Sequence, residues 1–519
     1  MDKSALKQTP GWLWIVISGL LTVSAFPPSP FGFLAYFGLV PFLYVLVRED
    51  FQLAFEKGLL FGIVLNLGVM YWLAFNMGTE WYWSLLSMIA SVLFLALNYG
   101  LIGFLVGVIG RRLGKTAAIL TFPVLYTAVE FVRSFGTLGF TWNNLCYTQS
   151  HALQLIQMAS FTGPFGISLW IAVINVLIYG LLFTREKRRL MIYVSVLLLL
   201  FLIPETYGLF RLRMRPAEQK RELQVGLIQP NVDPNAKWGR ESFDQNMQLL
   251  HDLTDLAAAQ PLDLVVWPET ATPTYLRRNW RGTLDKIFQH ITRLNVHLLT
   301  GAPDYEFQED GNYRVYNSTF FLKPDSREIE DYRKNQLVPM GEYVPLNELF
   351  PALRDINLGQ GNFSPGEDVR VFGMPVRVSD EAAADTSLQF CSAICFESSF
   401  SQLIRRSTHL GAELLVIVSN DSWFGLTSGP YLHAEIARFR AIENNIPVVR
   451  SANTGVSMII DSRGRVQKKL EFGRSGWLAD TVAQGNPDTF FVKFGNWIGC
   501  LCVGIAGSIL LISIAKRKI

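Results

Sequence analysis

The run Leu388-Gln-Phe-Cys-Ser-Ala-Ile-Cys-Phe-Glu-Ser398 decides the fold of this chain, because it is an apolar stretch of strand length that ends at Cys395. Side chains alternate along a strand with a period of two, so Cys391, Ala393 and Cys395 share one face. Functional groups in α/β sheets gather outside the carboxyl ends of the strands. The pattern therefore indicates Cys395 as a candidate nucleophile, with Cys391 packed behind it.

Other predicted strands end in polar side chains in the same way. Glu269 follows the apolar run 264–268, and Asn420 and Asp421 follow the run 416–419. Lys334 stands in a polar stretch just after Tyr332. We expect these side chains to gather at one edge of a sheet.

Strand-length apolar runs alternate with longer amphipathic stretches from residue 223 onward. The predicted strands are 224–229, 262–267, 297–300, 316–322, 388–394, 414–419, 448–451 and 457–460. The predicted helices are 241–259, 284–294, 399–410 and 431–444. This alternation is typical of an α/β domain with a central sheet.

A cysteine, a carboxylate and an ammonium group together can carry out acyl transfer. The thiolate of Cys395 is the nucleophile, Glu269 can take its proton, and Lys334 can stabilise an oxyanion. Taken singly, the three residues also fit a buried cysteine, a helix cap and a solvated charge. A Cys–His mechanism with His433 as the base is the alternative catalytic interpretation.

The first two hundred residues have the composition of a membrane protein. Half of the 519 residues are hydrophobic, and the mean hydropathy is +0.25, which is too apolar for one soluble globule. The net charge of +3, without a basic tract, argues against a nucleic-acid partner. Five cysteines in a chain of this length do not form a disulfide framework.

A membrane-spanning helix needs about 20 mainly apolar residues. Eight stretches are candidates, the first two short: 11–26, 31–47, 58–77, 84–110, 116–132, 163–183, 190–203 and 494–514. We predict a membrane domain with seven transmembrane helices over 1–210, a catalytic domain over 220–488, and a last helix with a cytoplasmic tail over 489–519. The first stretch also fits a signal peptide, although an uncleaved anchor is favoured.

The positive-inside rule orients these helices. With a cytoplasmic N-terminus, every basic cluster falls on the inner side: Lys3, Lys7, Arg48, Lys57, Arg111, Arg112, Lys115, Arg185, Lys187, Arg188, Arg189, Lys516, Arg517 and Lys518. The short outer loop after Met77 contains Glu80 and no lysine or arginine. The rule therefore places both termini in the cytoplasm and the α/β domain outside it.

The three catalytic segments resemble those of the nitrilase, or carbon–nitrogen hydrolase, superfamily. They are WPET at 267–270, YRKNQLVPMGEYVP at 332–345 and ICFES at 394–398. With the membrane spans, the resemblance narrows to the apolipoprotein N-acyltransferase family and covers essentially the whole chain. It extends through SNDSWFG at 419–425, ARFRAIENN at 437–445 and RSANTG at 450–455.

The resemblance implies an αββα sandwich for the outer domain. It also implies Glu269 as general base, Lys334 as the oxyanion-stabilising cation and Cys395 as the acylated nucleophile. The residues implied to support the site or bind substrate are Trp238, Glu342, Tyr343, Phe396 and Glu397. At position 396 many relatives carry tyrosine, so a packing role is expected there and a hydrogen-bonding role is in doubt.

The activity implied is transfer of an acyl chain from a membrane phospholipid, through a thioester on Cys395, to the α-amino group of a diacylglyceryl cysteine in an apolipoprotein. This reaction is the last step of bacterial lipoprotein maturation at the inner membrane. It needs no cofactor, and the six histidines show no metal-ligand spacing. The apolar loop 346–363 is expected either to dip into lipid or to form a packed lid.

Two other functions compete with this interpretation. A membrane-tethered amidase or nitrilase would keep the Cys395 nucleophile, but a tether needs only one span. A non-catalytic transporter or receptor would place charges inside its spans. Glu130 and Arg133 are the clear charges near a predicted span, and both lie toward its outer end.

Overall fold

The computed structural model describes residues 8–214, 221–235, 240–309, 311–344, 362–375 and 387–516. The chain forms two compact units. The helical unit comprises Met1–Ala74, Leu85–Met214 and Phe494–Ile519, and the catalytic unit comprises Phe75–Ser84 and Arg215–Lys493. The basic tail residues Lys3, Lys7, Arg517 and Lys518 lie outside the described residues.

The helical unit is built from apolar helices. They are α1 (Gly11–Val23), α2 (Ala35–Gly38), α3 (Val40–Arg48), α4 (Ala54–Met70), α5 (Trp81–Leu113), α6 (Lys115–Arg133), α7 (Leu153–Ile156), α8 (Ala159–Phe183), α9 (Lys187–Arg213) and, near the C-terminus, α15 (Trp497–Ala515). Within the described residues, six helical segments are long and apolar enough to cross a membrane. The first two predicted spans correspond to shorter apolar helices, Gly11–Val23 and Gly32–Arg48.

Small residues allow α4 and α5 to approach closely. A Cβ added to Gly58 would lie 2.2 Å from the carbonyl oxygen of Tyr99, and one added to Gly103 would lie 2.0 Å from that of Ala54. Contacts of this kind between helix backbones are common where helices associate in membranes. The two glycines therefore fix the packing of this helix pair.

The charges near the end of α6 hold a buried turn in place. Glu130 Oε1 accepts a hydrogen bond of 2.7 Å from the amide of Leu145, and Arg133 donates one of 2.7 Å to Asn144. Trp142, in the same turn, is 3% exposed. Because both charges bind this turn, they act as internal ties of the helical unit, which agrees with the argument against a transport path.

The catalytic unit contains two six-stranded sheets. Their strands are β1 (Glu222–Gln229), β2 (Leu264–Val266), β3 (His297–Phe307), β4 (Tyr313–Leu322), β5 (Ile329–Arg333), β6 (Val371–Pro375), β7 (Ser387–Ile394), β8 (Leu414–Ser419), β9 (Val448–Ala452), β10 (Ser457–Ile460), β11 (Val466–Leu470) and β12 (Gly476–Ala483). The orders are β12-β1-β2-β3-β4-β5 and β11-β10-β9-β8-β7-β6. The eight strands predicted from the sequence are all present.

The helices of this unit are α10 (Arg240–Ala257), α11 (Thr283–Leu294), α12 (Ser401–His409), α13 (Ser428–Asn444) and the short α14 (Phe490–Phe494). Among the described residues, three apolar cores lie between neighbouring layers. Residues such as Val266 and Val418, from different sheets, share the core between the sheets. Val265 packs with α10 and α11, and Ile417 packs with α13. This layering confirms the predicted αββα sandwich.

Strand direction brings the predicted site residues to matching edges. β1, β2 and β3 are parallel, and two antiparallel steps through β4 return β5 to the same direction. β7, β8 and β9 are parallel in the other sheet. The hydroxyl of Ser451 in β9 lies 2.9 Å from the carbonyl oxygen of Ile228 and 3.2 Å from that of Val266, so its single hydrogen ties the two sheets together.

Candidate active site

Each predicted catalytic residue follows a strand. Glu269 comes three residues after β2, Lys334 directly after β5, and Cys395 directly after β7. Glu269 and Lys334 are buried, and Cys395 is partly exposed. The charges of Glu269 and Lys334 both act on the Cys395 thiol. The structure thus brings the three residues into one electrostatic site.

Lys334 is a buried cation between two buried carboxylates. Its Nζ lies 2.8 Å from Glu342 Oε1 and 3.6 Å from Glu269 Oε1. The Asn317 side chain donates to Glu269 at 2.7 Å and to Glu342 at 3.0 Å. The amide of Val338 donates to the other oxygen of Glu342 at 2.9 Å. These bonds fix the direction of both carboxylates and of the ammonium group.

The environment raises the pKa of both Lys334 and Glu269, for different reasons. Burial would lower the pKa of Lys334, but Glu342 and Glu269 outweigh it and hold the pKa above its ordinary value. Burial raises the pKa of Glu269; Lys334 lowers it in part, and the charge of Glu342 raises it further. Lys334 therefore remains charged, and Glu269 is a stronger base than an exposed glutamate.

Cys395 sits in a backbone conformation that is rare for a residue with a side chain. Its φ is +52°, in the left-handed region, where β7 ends and a 3₁₀ helix, Cys395–Ser399, begins. Burial and the Glu269 charge raise the pKa of the thiol, and Lys334 offsets only part of this. The resting thiol is therefore protonated and needs a base to become a nucleophile.

Glu397 joins the nucleophile loop to the lysine segment. It accepts hydrogen bonds from the Ile394 amide at 2.8 Å, from the Tyr332 hydroxyl at 2.8 Å, and from the amides of Asn335 and Gln336 at 2.5 Å and 3.1 Å. Burial raises its pKa to about 7 against the effect of these donors. The side chain is fully buried, so Glu397 supports the site by holding the nucleophile loop and the lysine segment in place.

The remaining predicted site residues differ in how they are placed. Phe396 is 3% exposed and stacks edge-on against Phe400, with ring centroids 5.0 Å apart, which agrees with a packing role. The carbonyl of Tyr343 accepts a bond from the Met340 amide at 2.8 Å, within the turn that carries Glu342. Trp238 and most of the loop 346–363 lie outside the described residues.

His433, the base of the alternative Cys–His mechanism, lies beside Cys395 and contacts its carbonyl oxygen. Its Nε2 is 3.0 Å from the Cys395 carbonyl oxygen. A carbonyl oxygen only accepts, so Nε2 carries a hydrogen in this contact. Nδ1 lies 2.8 Å from Asp421 and 3.0 Å from Arg450. Both ring nitrogens thus have partners other than the thiol, so this geometry disfavours the alternative.

Cys395, Asp421 and His433 have metal-ligand atoms within 4.8 Å of one another. Arg450 already supplies a cation there, since its Nη2 lies 2.6 Å from Asp421 Oδ2. Burial would raise the pKa of Asp421, but Arg450 and His433 lower it well below its ordinary value. The donor set therefore fits an ion-paired support better than a metal site. The sequence-based expectation that no metal takes part stays a prediction.

The sequence interpretation missed Asn317 and Arg450 as parts of the site. Asn317 lies inside β4 and follows an apolar–polar alternation that resembles that of any strand. Arg450 lies inside β9, fully buried, and a charged residue in the middle of an otherwise apolar strand is a usable signal. Asp421 was noted as a strand-end residue, without its partners.

Comparisons with known proteins identify the family of this chain. A family model for carbon–nitrogen hydrolases matches residues 224–485, and one for the N-terminal domain of apolipoprotein N-acyltransferase matches residues 18–177. Curated relatives named apolipoprotein N-acyltransferase include that of Geobacter metallireducens, 34% identical over 98% of this chain and 95% of the relative. That of Chlorobaculum tepidum is 29% identical over 97% of this chain and 96% of the relative.

Among solved structures, Nit3 of Saccharomyces cerevisiae, a member of branch 10 of the nitrilase superfamily, matches at 19% identity. It covers 54% of this chain and 96% of its own length, with a TM-score of 0.37. The assignment therefore rests on the relatives and family models, which span nearly the full chain. This chain belongs to the apolipoprotein N-acyltransferase family, and it is an acyltransferase with a carbon–nitrogen hydrolase domain.

Proposed function

We propose that this enzyme transfers a fatty acyl chain from a membrane phospholipid to the α-amino group of the S-diacylglyceryl cysteine at the N-terminus of an apolipoprotein. Family membership supports the reaction class. The site itself supports a thioester route, since a buried Lys334 is held by two carboxylates and acts on the Cys395 thiol. That arrangement is the observation that carries the proposal.

In the first half-reaction Glu269 takes the proton of the Cys395 thiol, and the thiolate attacks the ester carbonyl of the phospholipid. Lys334 stabilises the negative charge that develops on the carbonyl oxygen. When the C–O bond breaks, Glu269 returns its proton to the departing lysophospholipid oxygen. The product is a thioester between the acyl chain and Cys395.

In the second half-reaction the α-amino group of the apolipoprotein attacks the thioester carbonyl. Lys334 again faces the oxyanion, and Glu269 accepts the proton that the amine loses. Collapse of the intermediate breaks the C–S bond and forms an amide. The proton then returns from Glu269 to the Cys395 sulfur, so the resting site is restored.

The apolar helices make this a membrane protein, and we propose its orientation from the charges. Basic residues lie at the ends of several helices on one predicted side. Examples are Arg111 and Arg112 in the last turn of α5 and Lys115 at the start of α6. The positive-inside rule assigns that side to the cytoplasm of the bacterial inner membrane. The catalytic domain, proposed as residues 220–488, then faces the periplasm, with both termini cytoplasmic.

The decisive experiment is mass spectrometry of the purified protein after incubation with a phospholipid of defined acyl composition. We expect a mass increase equal to one acyl group on the peptide that contains Cys395, and its loss when a diacylated lipopeptide is added. Cys395→Ala is expected to give neither adduct nor acylated lipopeptide, and Cys391→Ala is the matched control. Acylation of the lipopeptide by Cys395→Ala would disprove the thioester route.

The same preparation tests the competing amidase function. A tethered amidase would release ammonia from small amides at a rate that does not depend on lipid. The proposed function predicts that any release of ammonia from small amides is slower than the acylation of the lipopeptide. Steady ammonia release together with an absent lipid adduct would favour the amidase.

A further inference from the structure

The conformation of Cys395 requires an external support. Its φ of +52° places a side chain in a backbone region that such residues rarely adopt. Conformations of this kind persist only where the surrounding structure fixes them. The contacts of the Cys395 backbone therefore decide whether its sulfur stays near Glu269 and Lys334.

Two side chains bind the Cys395 carbonyl oxygen. Ser398 donates to it from within the same 3₁₀ helix at 2.9 Å, and His433 Nε2 reaches it from α13 at 3.0 Å. Ser398 and His433 also lie 2.9 Å from each other. Of these two side chains, only that of His433 comes from a different element, so it can fix the loop against the body of the domain.

His433 is in turn fixed by buried charges. Its Nδ1 lies between Asp421 Oδ1 and Arg450 Nη2, at 2.8 Å and 3.0 Å. Arg450 also donates to Asp421 Oδ2 at 2.6 Å, and Ser419 donates to Asp421 Oδ1 at 2.9 Å. His433, Asp421 and Arg450 are at most 1% exposed. With its hydrogen on Nε2, the neutral ring accepts from Arg450 at Nδ1, and Asp421 holds Arg450 in place. Nε2 then faces Cys395.

The backbone around Asp421 leaves this network little freedom. A Cβ added to Gly455 would lie 2.1 Å from Asp421 Oδ2, and Arg450 Nη1 donates to the Val456 carbonyl at 2.5 Å. β8 ends just before Asp421, and β9 carries Arg450. The network thus fixes the loop that carries Cys395 relative to the two central strands β8 and β9.

We propose that His433, oriented by Asp421 and Arg450, is a positioning residue. It donates a hydrogen bond from Nε2 to the Cys395 carbonyl and so keeps the nucleophile in its left-handed conformation, with the sulfur directed toward Glu269 and Lys334. This role rests on the proposed thioester route for its effect on acyl transfer. It is distinct from general-base catalysis, because His433 acts through the backbone of Cys395.

The test compares His433→Leu, which removes the donor, with His433→Gln, whose side-chain amide can still donate. His290→Leu is the matched control, since His290 is also a buried histidine beside an aspartate, Asp255, at 2.8 Å. We expect His433→Leu to lower the single-turnover rate of Cys395 acylation about a hundredfold without changing KM for the phospholipid, and His433→Gln to recover about tenfold of that loss. His290→Leu should keep the wild-type rate.

Alkylation of Cys395 by iodoacetamide reports the position of the sulfur without any acyl substrate. Lys334→Met is expected to slow alkylation in the wild-type background, because the thiolate loses its neighbouring cation. The same substitution should have a smaller effect beside His433→Leu, because the sulfur no longer lies next to Lys334. This coupling between the two substitutions would be seen even if a phospholipid were not the acyl donor. The positioning role of His433 and the proposed acyl transfer can therefore be disproved independently of each other.

Two results in a folded His433→Leu protein would together overturn the positioning role. They are acylation of Cys395 at the wild-type rate and an effect of Lys334→Met on alkylation as large as in the wild-type background. Equal losses in His433→Leu and His433→Gln, with normal unfolding temperatures, would overturn it as well. If His433→Leu does not fold, Asp421→Asn replaces it, since it keeps the size of the side chain but removes the charge that holds Arg450 against the ring. Unchanged acylation in Asp421→Asn would then contradict the proposal.

Discussion

Tyr332 donates a hydrogen bond of 2.8 Å to Glu397, which joins the strand that precedes Lys334 to the loop that carries Cys395. Tyr332 lies in β5 of one sheet, Glu397 lies in the 3₁₀ helix that follows β7 of the other sheet, and both are buried. The same carboxylate accepts the Ile394 amide at the end of β7. The distance between the proposed cation and nucleophile is therefore set by one shared acceptor.

Replacing Glu397 should damage stability and catalysis together. Glu397→Gln replaces one of the two acceptor oxygens with an NH2 donor, which must then face either the Ile394 amide or the donors of the lysine segment. An unsatisfied buried donor costs about 1–3 kcal/mol, and we expect an unfolding free energy lower by about that amount. Tyr332→Phe removes only one of the donors and should cost less. Thermal unfolding and the Cys395 acylation rate measure both effects.

Tyr316→Phe is the control for that series, since its hydroxyl binds Glu306 at 3.3 Å, away from the nucleophile loop. It should leave the acylation rate unchanged. A Tyr332→Phe protein as impaired as Glu397→Gln would show that the amide contacts of Glu397 contribute little.

Lys334 should be needed for stability as well as for chemistry. Lys334→Met leaves Glu269 and Glu342 buried together without a cation, and breaking a buried ion pair by removing one partner costs about 3–5 kcal/mol. The double variant Lys334→Met/Glu342→Gln removes one of the two charges and should recover part of that loss. Neither variant is expected to form the acyl adduct, since both lack the ammonium group.

Chemical unfolding of the two variants in the same detergent measures the difference. Equal stability of the single and double variants would contradict the electrostatic interpretation. An acyl adduct on Cys395 in either variant would show that Lys334 is dispensable for the first half-reaction.

The interior of this fold could be predicted from the sequence, but its edges could not. The eight predicted strands are the central strands of the two sheets. The four that were missed, β5, β6, β11 and β12, are the edge strands. β5 reads IEDYR and β11 reads VQKKL, so neither carries the apolar run by which a central strand is recognised. Polar and charged residues are common on edge strands, where they oppose aggregation.

The site was predicted to a similar extent. Residues at the ends of apolar strands, such as Glu269 and Cys395, follow a pattern that a single sequence displays. Asn317 reaches the site from inside a strand, where position alone does not distinguish it from its neighbours, whereas the charge of Arg450 in β9 was a usable signal. The tie between Glu397 and Tyr332 depends on how two separate sheets stack, which no local pattern encodes.

Gly301 should be required at its position in β3. A Cβ there would lie 2.6 Å from the Thr270 amide nitrogen and 2.7 Å from Glu269 Cα, so Gly301→Ala must displace the backbone that carries the base. Forcing an extra methyl group into a packed interior costs about 1–3 kcal/mol. We expect that loss in unfolding free energy together with a strongly reduced acylation rate.

Gly373→Ala in β6 is the matched substitution. Its Cβ would approach only the end of the Gln389 side chain, at 3.2 Å, which can rotate away. This variant should unfold and acylate like the wild type. A wild-type acylation rate in Gly301→Ala would contradict the proposed dependence of catalysis on the Glu269 backbone.

The buried pair Arg440–Glu443, 2.7 Å apart in α13, should make stability depend on pH. Burial raises the pKa of Glu443 to about 7, although Arg440 lowers it in part. A carboxyl whose pKa is raised on folding stabilises the fold fully below its unfolded value near 4.5, and this contribution is lost as pH rises through 7.

Glu443→Gln removes that titration without changing the size of the side chain. As pH rises from 4.5 to 7.5, the wild type should therefore lose unfolding free energy relative to Glu443→Gln. Asn444→Ala, at a neighbouring buried position that does not titrate, should differ from the wild type by the same amount at every pH. A constant difference for Glu443→Gln as well would mean that Glu443 ionises in the folded protein as it does in the unfolded chain, with Arg440 fully compensating for its burial.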